Sequence, residues 1–265
     1  MASTVLLSLA AALYLAATIR YQKTLYSNDE SDSWSRGRGF VLAAFLVQTL
    51  GTISLGIESH RCPVYTLPQN LNMICWAMIG LYLLVSAQWN IEALGAFAAP
   101  AATLMMLVVF ATLHHTAVAA TTDWVLNVHI ACIMMGYAAF TLATIVALIY
   151  FFQAFLLKRK YVTGFFLKMP SLESLDRVTY RLILLGFVPM VVGISLGIIR
   201  AGAQHFYSFE VFLGIATLLI YAAYIHARLL AGWQGRRVNT LLLVGFVFLI
   251  ATYVGVGILR FGVHH

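Results

Sequence analysis

Histidine is the residue type in this sequence best placed to do chemistry. Eight histidines occur in a chain of 265 residues that contains only nine acidic side chains. A neutral imidazole ligates metal ions, and an ionisable group in or beside an apolar segment usually has a function. The histidines are His60, His114, His115, His129, His205, His226, His264 and His265. Two of them, His129 and His264, lie at the ends of long apolar segments, so their chemistry depends on how those segments are arranged.

The composition requires that most of the surface faces lipid. Hydrophobic residues make up 62% of the sequence and charged residues 9%, against about 25% charged in a typical soluble domain. A bilayer span needs roughly 20 mainly apolar residues. We therefore predict an all-α polytopic integral membrane protein with eight membrane-spanning helices, forming a single transmembrane domain over residues 1–265. The predicted spans are residues 2–19, 39–56, 70–87, 93–113, 124–157, 182–199, the segment from the loop at 205–210 to residue 228, and 238–259.

The positions of the basic residues predict that both chain ends lie outside the cytoplasm. Arg20 and Lys23 follow the first apolar segment, whereas a cleavable signal peptide has its basic residues in front, so this segment is predicted to be an uncleaved span. Cytoplasmic loops are enriched in Lys and Arg, and this orientation leaves three basic residues outside: Arg61, Arg200 and Arg260. The net charge of +7 therefore reports orientation and does not indicate a nucleic-acid partner.

This topology places His129 near the outer end of the fifth span and His264 just beyond the outer end of the eighth. Two neutral imidazoles at one membrane depth have a geometry for bis-histidine ligation of haem iron. His226 lies at the opposite side, near the inner end of the seventh span. Each histidine also has a simpler interpretation. His129 and His226 can bond a neighbouring helix, His205 can be solvated in its loop, and the terminal pair can begin a purification tag.

The sequence offers little support for other classes of function. No span contains paired carboxylates, which argues against a proton-driven transporter, and the Walker, GxSxG and HExxH motifs are missing. Pro100 and Pro189 could interrupt the fourth and sixth spans, as in the broken helices of transporters. Without an inverted repeat, a small-molecule permease is the least favoured interpretation.

Several segments in order resemble the cytochrome c assembly protein family, which includes the CcsA, CcmC and HemX-like membrane proteins that handle haem. One of them is Val128–Phe140, which includes His129, and the last along the chain is Gly262–His264. The other resembling segments are His60–Pro63, Ser174–Ile183, Tyr221–Arg228 and Gly232–Gly235. The resemblance covers nearly the whole chain.

The resemblance implies a site and a cofactor. In the family two outer histidines flank an external haem, and His129 and His264 match them. His226 matches the histidine of a second, membrane-embedded haem site, for which this sequence shows no convincing partner histidine. The implied cofactor is non-covalent b-type haem. The implied partners are cytochrome c assembly proteins or an apocytochrome, in the bacterial cytoplasmic membrane.

The largest departure from the family lies before the seventh span. Haem-presenting members carry a tryptophan-rich WWD segment there, but residues 203–212 contain no Trp and no Pro, and Glu210 is their one acidic residue. His205 and Glu210 are predicted to line the haem site. The missing segment favours the HemX-like branch and an accessory role in place of synthase activity.

Two functions follow from these observations. The leading hypothesis is a haem-binding membrane protein that assists cytochrome c maturation or haem homeostasis by bis-histidine ligation and handover, without making bonds. The alternative is a haem-free structural or regulatory subunit of an assembly complex.

Overall fold

Among the residues that the structure describes, eight long α-helices account for most of the chain. The computed structural model describes residues 2–26, 33–60, 62–89, 91–112, 123–161, 166, 168–201 and 209–261, without the side chains of 33, 201, 210 and 256–261. The helices are α1 (Ala2–Tyr26), α2 (Ser33–Ser59), α3 (Leu67–Trp89), α4 (Gly95–Thr112), α5 (Trp124–Lys158), α6 (Leu172–Ala201), α7 (Phe209–Leu229) and α8 (Arg236–Phe261), with a short 3-10 turn at Glu92–Leu94. All eight contain a segment long and apolar enough to cross a bilayer. The prediction of a polytopic all-α membrane protein is confirmed, whereas the orientation of its ends stays a prediction.

Two helices begin well before the apolar segments that predicted them. The second span was predicted to start at residue 39 and the sixth at residue 182, but α2 starts at Ser33 and α6 at Leu172. Hydropathy detects only the part of a helix that suits lipid, while the backbone hydrogen bonds continue through polar residues. In the added part of α6, Leu175 and Val178 are buried, so packing stabilises this extension.

Both helices that contain a proline beyond their first turn continue through it. Pro100 lies inside α4 and Pro189 inside α6. Proline removes one backbone hydrogen bond, and membrane helices tolerate this because their neighbours and local adjustments compensate. The idea that these prolines interrupt two spans, as in a transporter, is therefore wrong.

The chain divides into two compact units. The amino-terminal unit comprises residues 1–121 and 153–171, and the carboxyl-terminal unit comprises residues 122–152 and 172–265. Helix α5 contributes to both, because its last turns belong to the first unit and the rest of it to the second. The single domain predicted over residues 1–265 stays a prediction.

Hydrogen-bonded polar side chains hold the amino-terminal unit together. Tyr14 of α1 donates to Gln48 Oε1 of α2 at 2.7 Å, and Gln48 Nε2 donates to Asn72 Oδ1 of α3 at 2.9 Å. The hydroxyls of Tyr21 and Tyr82 are 2.8 Å apart and link α1 to α3. These side chains are fully or almost fully buried. Hydrogen bonds of this kind fix which helices are neighbours within a membrane.

Candidate functional site

Glycines bring α5 and α6 unusually close together in the carboxyl-terminal unit. A β-carbon added at Gly186 would lie 2.8 Å from the Phe140 ring, and one added at Gly193 would lie 2.9 Å from Ile133 Cδ1. One added at Gly136 would lie 3.2 Å from the carbonyl oxygen of Gly186. Small residues allow this approach of two membrane helices. We refer to this contact between α5 and α6 as the glycine seam.

The glycine seam positions His129. The Nδ1 atom of His129 lies 2.6 Å from the carbonyl oxygen of Gly193. A carbonyl only accepts hydrogen bonds, so Nδ1 donates, and in the neutral form of the ring Nε2 is then the unprotonated nitrogen. Metal-ligating histidines usually have this arrangement, in which a carbonyl bonded to the other ring nitrogen fixes the tautomer and the ring orientation.

Gly197 makes room for that imidazole. A β-carbon added at Gly197 would lie 2.7 Å from His129 Cε1 and 2.9 Å from Nδ1. In a helix the carbonyl of residue i lies beside residue i+4, so the missing side chain of Gly197 leaves the Gly193 carbonyl open to the ring. The two glycines form a Gly-x-x-x-Gly pattern, a known signal for close helix contact. Neither glycine was predicted to belong to the site, although this spacing could have identified both.

An ion pair joins α5 and α6 at the same end. Asp123 Oδ1 accepts from the backbone N–H of Val125 at 2.9 Å and so caps α5, while Oδ2 accepts from Arg200 near the end of α6. The hydrogen bond from Arg200 is the main reason that the pKa of Asp123 lies below its ordinary value. Both side chains are partly exposed. We call this part of the carboxyl-terminal unit the His129 end.

Helix α8 is a neighbour of α5 and runs antiparallel to it. Phe140 stacks on Tyr221 with ring centroids 3.7 Å apart, and a β-carbon at Gly245 would lie 3.1 Å from Tyr221. Three residues earlier on α5, Tyr137 meets Tyr253 edge-on at 6.2 Å. A step toward the start of α5 is thus a step toward the end of α8.

This arrangement brings the end of α8 to the level of His129. His129 lies eight residues before Tyr137, and Phe261 lies eight residues after Tyr253, so both are about 12 Å along their helices from the tyrosine contact. The described backbone of α8 reaches Phe261, and His264 lies outside the described residues. His205 and the side chain of Glu210 also lie outside them.

His226 is at the opposite end of this unit and has an exposed side chain. Close to it in sequence, Arg228 Nη2 donates to Asp176 Oδ2 at 2.7 Å, and the guanidinium stacks over Tyr180 at 4.8 Å. Asp176 also accepts from the backbone N–H of Gly235 at 3.2 Å. This clamp ties α6, α7 and the turn before α8 together. The sequence analysis placed these residues in resembling segments but did not predict their contact.

The possible metal-ligating side chains among the described residues suit haem iron better than a bare metal ion. Within the described ranges, no group of three His, Cys, Asp or Glu side chains is arranged to hold an ion. Haem needs only axial ligands from the protein and apolar surroundings. His129 supplies a correctly oriented imidazole, and the exposed side chains of Trp124 and Val128 lie on the same end of α5. The residues present therefore fit one axial ligand of a haem.

The family profile and the similar proteins found by comparison agree with one another. The profile described as "Cytochrome C assembly protein" matches residues 64–264. A protein of Mesostigma viride named "Cytochrome c biogenesis protein CcsA" is 27% identical, with the alignment covering 85% of this chain and 84% of that protein. Proteins of the same name are 29% identical in Synechococcus sp. (strain CC9902), covering 86% and 85%, and 28% identical in Gloeobacter violaceus, covering 97% and 92%.

Proposed function

Because this chain belongs to the cytochrome c assembly protein family, we propose that it binds haem through His129 and His264 and hands it over during cytochrome c biogenesis. The similar proteins named "Cytochrome c biogenesis protein CcsA" support this role. The observation that carries the proposal is the 2.6 Å contact between His129 Nδ1 and the Gly193 carbonyl oxygen. This contact supports ligation through Nε2.

The proposed mechanism is ligation and positional transfer. The haem, held non-covalently as b-type haem, supplies the iron, and the chain makes no bond in it. Three features hold the His129 imidazole: the Gly193 carbonyl fixes its tautomer, Gly197 leaves it space, and the Asp123–Arg200 pair secures the helix ends beside it. A ligand whose rotation is restricted in this way loses little conformational entropy when it binds iron.

The second axial ligand in this proposal is His264. Support comes from the antiparallel contact of α5 and α8. It also comes from the equal distances, measured along the two helices, from the Tyr137–Tyr253 contact to His129 and to Phe261. His205 and Glu210 remain proposed lining residues, because both precede or begin α7. His226 remains a proposed ligand of a separate inner site.

The proposed orientation puts the His129 end outside the cytoplasm. The asymmetry of the basic residues supports it, with the clusters at 158–160 and 236–237 predicted inside. We propose the bacterial cytoplasmic membrane as the location. An apocytochrome or other assembly proteins would then receive haem at the external surface.

The test is an absorption spectrum of the detergent-purified protein supplemented with haem. We expect the Soret and α/β bands of bis-histidine ligation, and their loss in His129→Ala and in His264→Ala. The control is His60→Asn, which replaces an exposed histidine of the amino-terminal unit at positive φ by a residue that tolerates this conformation. Unchanged bands in both alanine variants would refute the proposed ligands.

A haem-free structural or regulatory subunit is the second candidate function. Residues 203–212 lack the tryptophan-rich segment that the resemblance associates with haem presentation. This candidate predicts that the protein co-purifies with an assembly partner in stoichiometric amounts and shows no Soret band after haem supplementation. Appearance of the bands would eliminate it.

A further inference from the structure

A basic groove lies between α1 and α2, in the amino-terminal unit and far along the chain from His129 and His226. Its volume is about 490 Å³. Its basic lining residues are Arg20 and Lys23 of α1 and Arg36 of α2. The other lining residues are apolar: Ala16, Ile19 and Phe40. We call it the α1–α2 groove.

The lining of the groove changes from apolar to basic along the membrane direction. On α1 the apolar Ala16 and Ile19 precede Arg20 and Lys23, which lie nearer the end of the helix at Tyr26. On α2 the order is reversed, as the opposite chain direction requires, because Arg36 lies in the first turn and Phe40 lies one turn deeper. Cations at the end of the spans and apolar side chains beneath them match the headgroup and acyl chain of a phospholipid.

The side chain of Arg20 indicates an anion in the groove independently of the number of charges there. Its Nε atom is buried and has no hydrogen-bond partner within the described ranges. Burying an unpaired guanidinium N–H costs free energy, which a phosphate oxygen would offset with a charge-assisted hydrogen bond. Arg is well suited to this contact because its planar fork matches phosphate geometry.

The walls of the groove are fixed by packing. Gly37 of α2 lies against the ring of Tyr21, where an added β-carbon would be 3.0 Å from the ring atoms. Tyr21 is fully buried, and its packing against Gly37 holds α1 and α2 close beside the groove. The side chains of Arg20 and Arg36 therefore project from a preformed helix pair.

We propose that the α1–α2 groove binds an anionic phospholipid. Its phosphate lies among Arg20, Lys23 and Arg36, and an acyl chain follows Ala16, Ile19 and Phe40. Basic pockets between membrane helices on the cytoplasmic side are typical sites for anionic headgroups. The positive-inside tendency accounts for the charges, but it does not account for a groove whose deeper wall is apolar or for a buried guanidinium nitrogen without a partner.

The experiment uses the purified full-length protein in mixed micelles. Phosphatidylglycerol and phosphatidylcholine are titrated separately, bound lipid is counted by native mass spectrometry, and the thermal midpoint is followed in parallel. We expect one retained phosphatidylglycerol and a rise in the midpoint, with little effect of phosphatidylcholine. Arg36→Gln, at an exposed position, is expected to weaken binding about fivefold, and Arg20→Gln at least as much. Arg237→Gln, which removes an exposed cation of α8, is the matched control.

Three outcomes would overturn the proposal. Equal retention of both lipids would show that the groove does not recognise the anionic headgroup. Full displacement of phosphatidylglycerol by inorganic phosphate would assign the cations to a soluble anion. No stabilisation of the wild-type protein would indicate that the cations are already neutralised within the chain, for which the acidic residues Asp29, Glu30 and Asp32 are the nearest in sequence.

Discussion

The two compact units hold their helices together in different ways. In the amino-terminal unit, Tyr14, Gln48 and Asn72 form a continuous series of hydrogen bonds between side chains of three helices. In the carboxyl-terminal unit, α5 and α6 instead meet at a glycine seam, where Gly186 and Gly193 have no room for a β-carbon. Both arrangements stabilise helix contacts in lipid, but they leave different groups accessible.

The difference explains why the candidate site is in the carboxyl-terminal unit. Side chains that bond one another use up their own polar groups. A close glycine contact brings a backbone carbonyl within reach of a side chain on the next helix, as Gly193 does for His129. The family profile begins at residue 64, so α1 and α2 both precede it. We interpret the amino-terminal unit as the scaffold and the glycine seam as the device that orients the ligand.

The strongest test of this comparison places a large side chain in the glycine seam. Gly193→Leu would put a β-carbon 2.9 Å from Ile133 Cδ1 and 3.2 Å from Cys132 Cβ, so α5 and α6 must separate. Overpacking of this kind costs about 1–3 kcal/mol or more, and we expect the thermal midpoint to fall and the haem bands to be lost. Gly39→Leu is the control, since nothing lies within 4 Å of its added β-carbon. If Gly193→Leu has the same thermal midpoint as the wild-type protein, the close contact of α5 and α6 at the glycine seam is contradicted.

The corresponding change in the amino-terminal unit should affect stability alone. Gln48→Leu leaves the Tyr14 hydroxyl and the Asn72 side chain without this buried partner, at a cost of about 1–3 kcal/mol for each group. Thermal unfolding measures the loss, with Ser8→Ala as the control because Ser8 makes an exposed bond within its own helix. We expect the haem spectrum of the folded variant to remain that of the wild type. Loss of the haem bands in a fully folded Gln48→Leu protein would contradict the assignment of the amino-terminal unit as a scaffold that is separate from the site.

A smaller change in the seam should separate ligand positioning from folding. Gly197→Ala adds a β-carbon 2.7 Å from His129 Cε1, which forces the imidazole to rotate. Loss of the groups that orient a ligand typically weakens metal binding about 10–100-fold, and we expect haem affinity to fall within this range while the protein still folds. Gly214→Ala is the matched control, with its added β-carbon at an ordinary 3.8 Å from Ile194. Haem titration of both variants provides the comparison, and equal affinities would contradict the positioning role.

The smallest effect concerns the ion pair at the His129 end and depends on pH. Arg200 holds the pKa of Asp123 below its ordinary value, so folding favours the carboxylate. This contribution is present above the unfolded pKa of about 4 and is lost as the pH falls through the lower folded pKa. Asp123→Asn should therefore lower the thermal midpoint slightly at pH 7, and the difference should shrink as the pH falls below the unfolded pKa. Glu173→Gln, at an exposed pair within one helix, is the control. A difference that persists at low pH would show that the pair is not its source.

Hydropathy was sufficient to predict the helices because the bilayer imposes one length and one composition on every span. It could not locate the start of α6, where Leu175 is buried by packing in a polar sequence.

His129 was identified from its residue type and position. Its contact with Gly193 was not, because that contact joins positions 64 residues apart and depends on how two helices pack. The Asp176–Arg228 clamp was missed for the same reason. The sequence contained the Gly-x-x-x-Gly signal for the first contact and no comparable spacing for the second.

Helix α5 is longer than a membrane is thick. Its 35 residues extend about 52 Å, against about 30 Å for the hydrocarbon layer. With Lys158 and Arg159 anchored at one interface and the helix upright, about 20 residues would cross the lipid, and His129 would stand roughly 13 Å above the opposite boundary. A ligand at that height is surrounded by headgroups and water. A soluble protein could then reach the His129 imidazole without entering the bilayer.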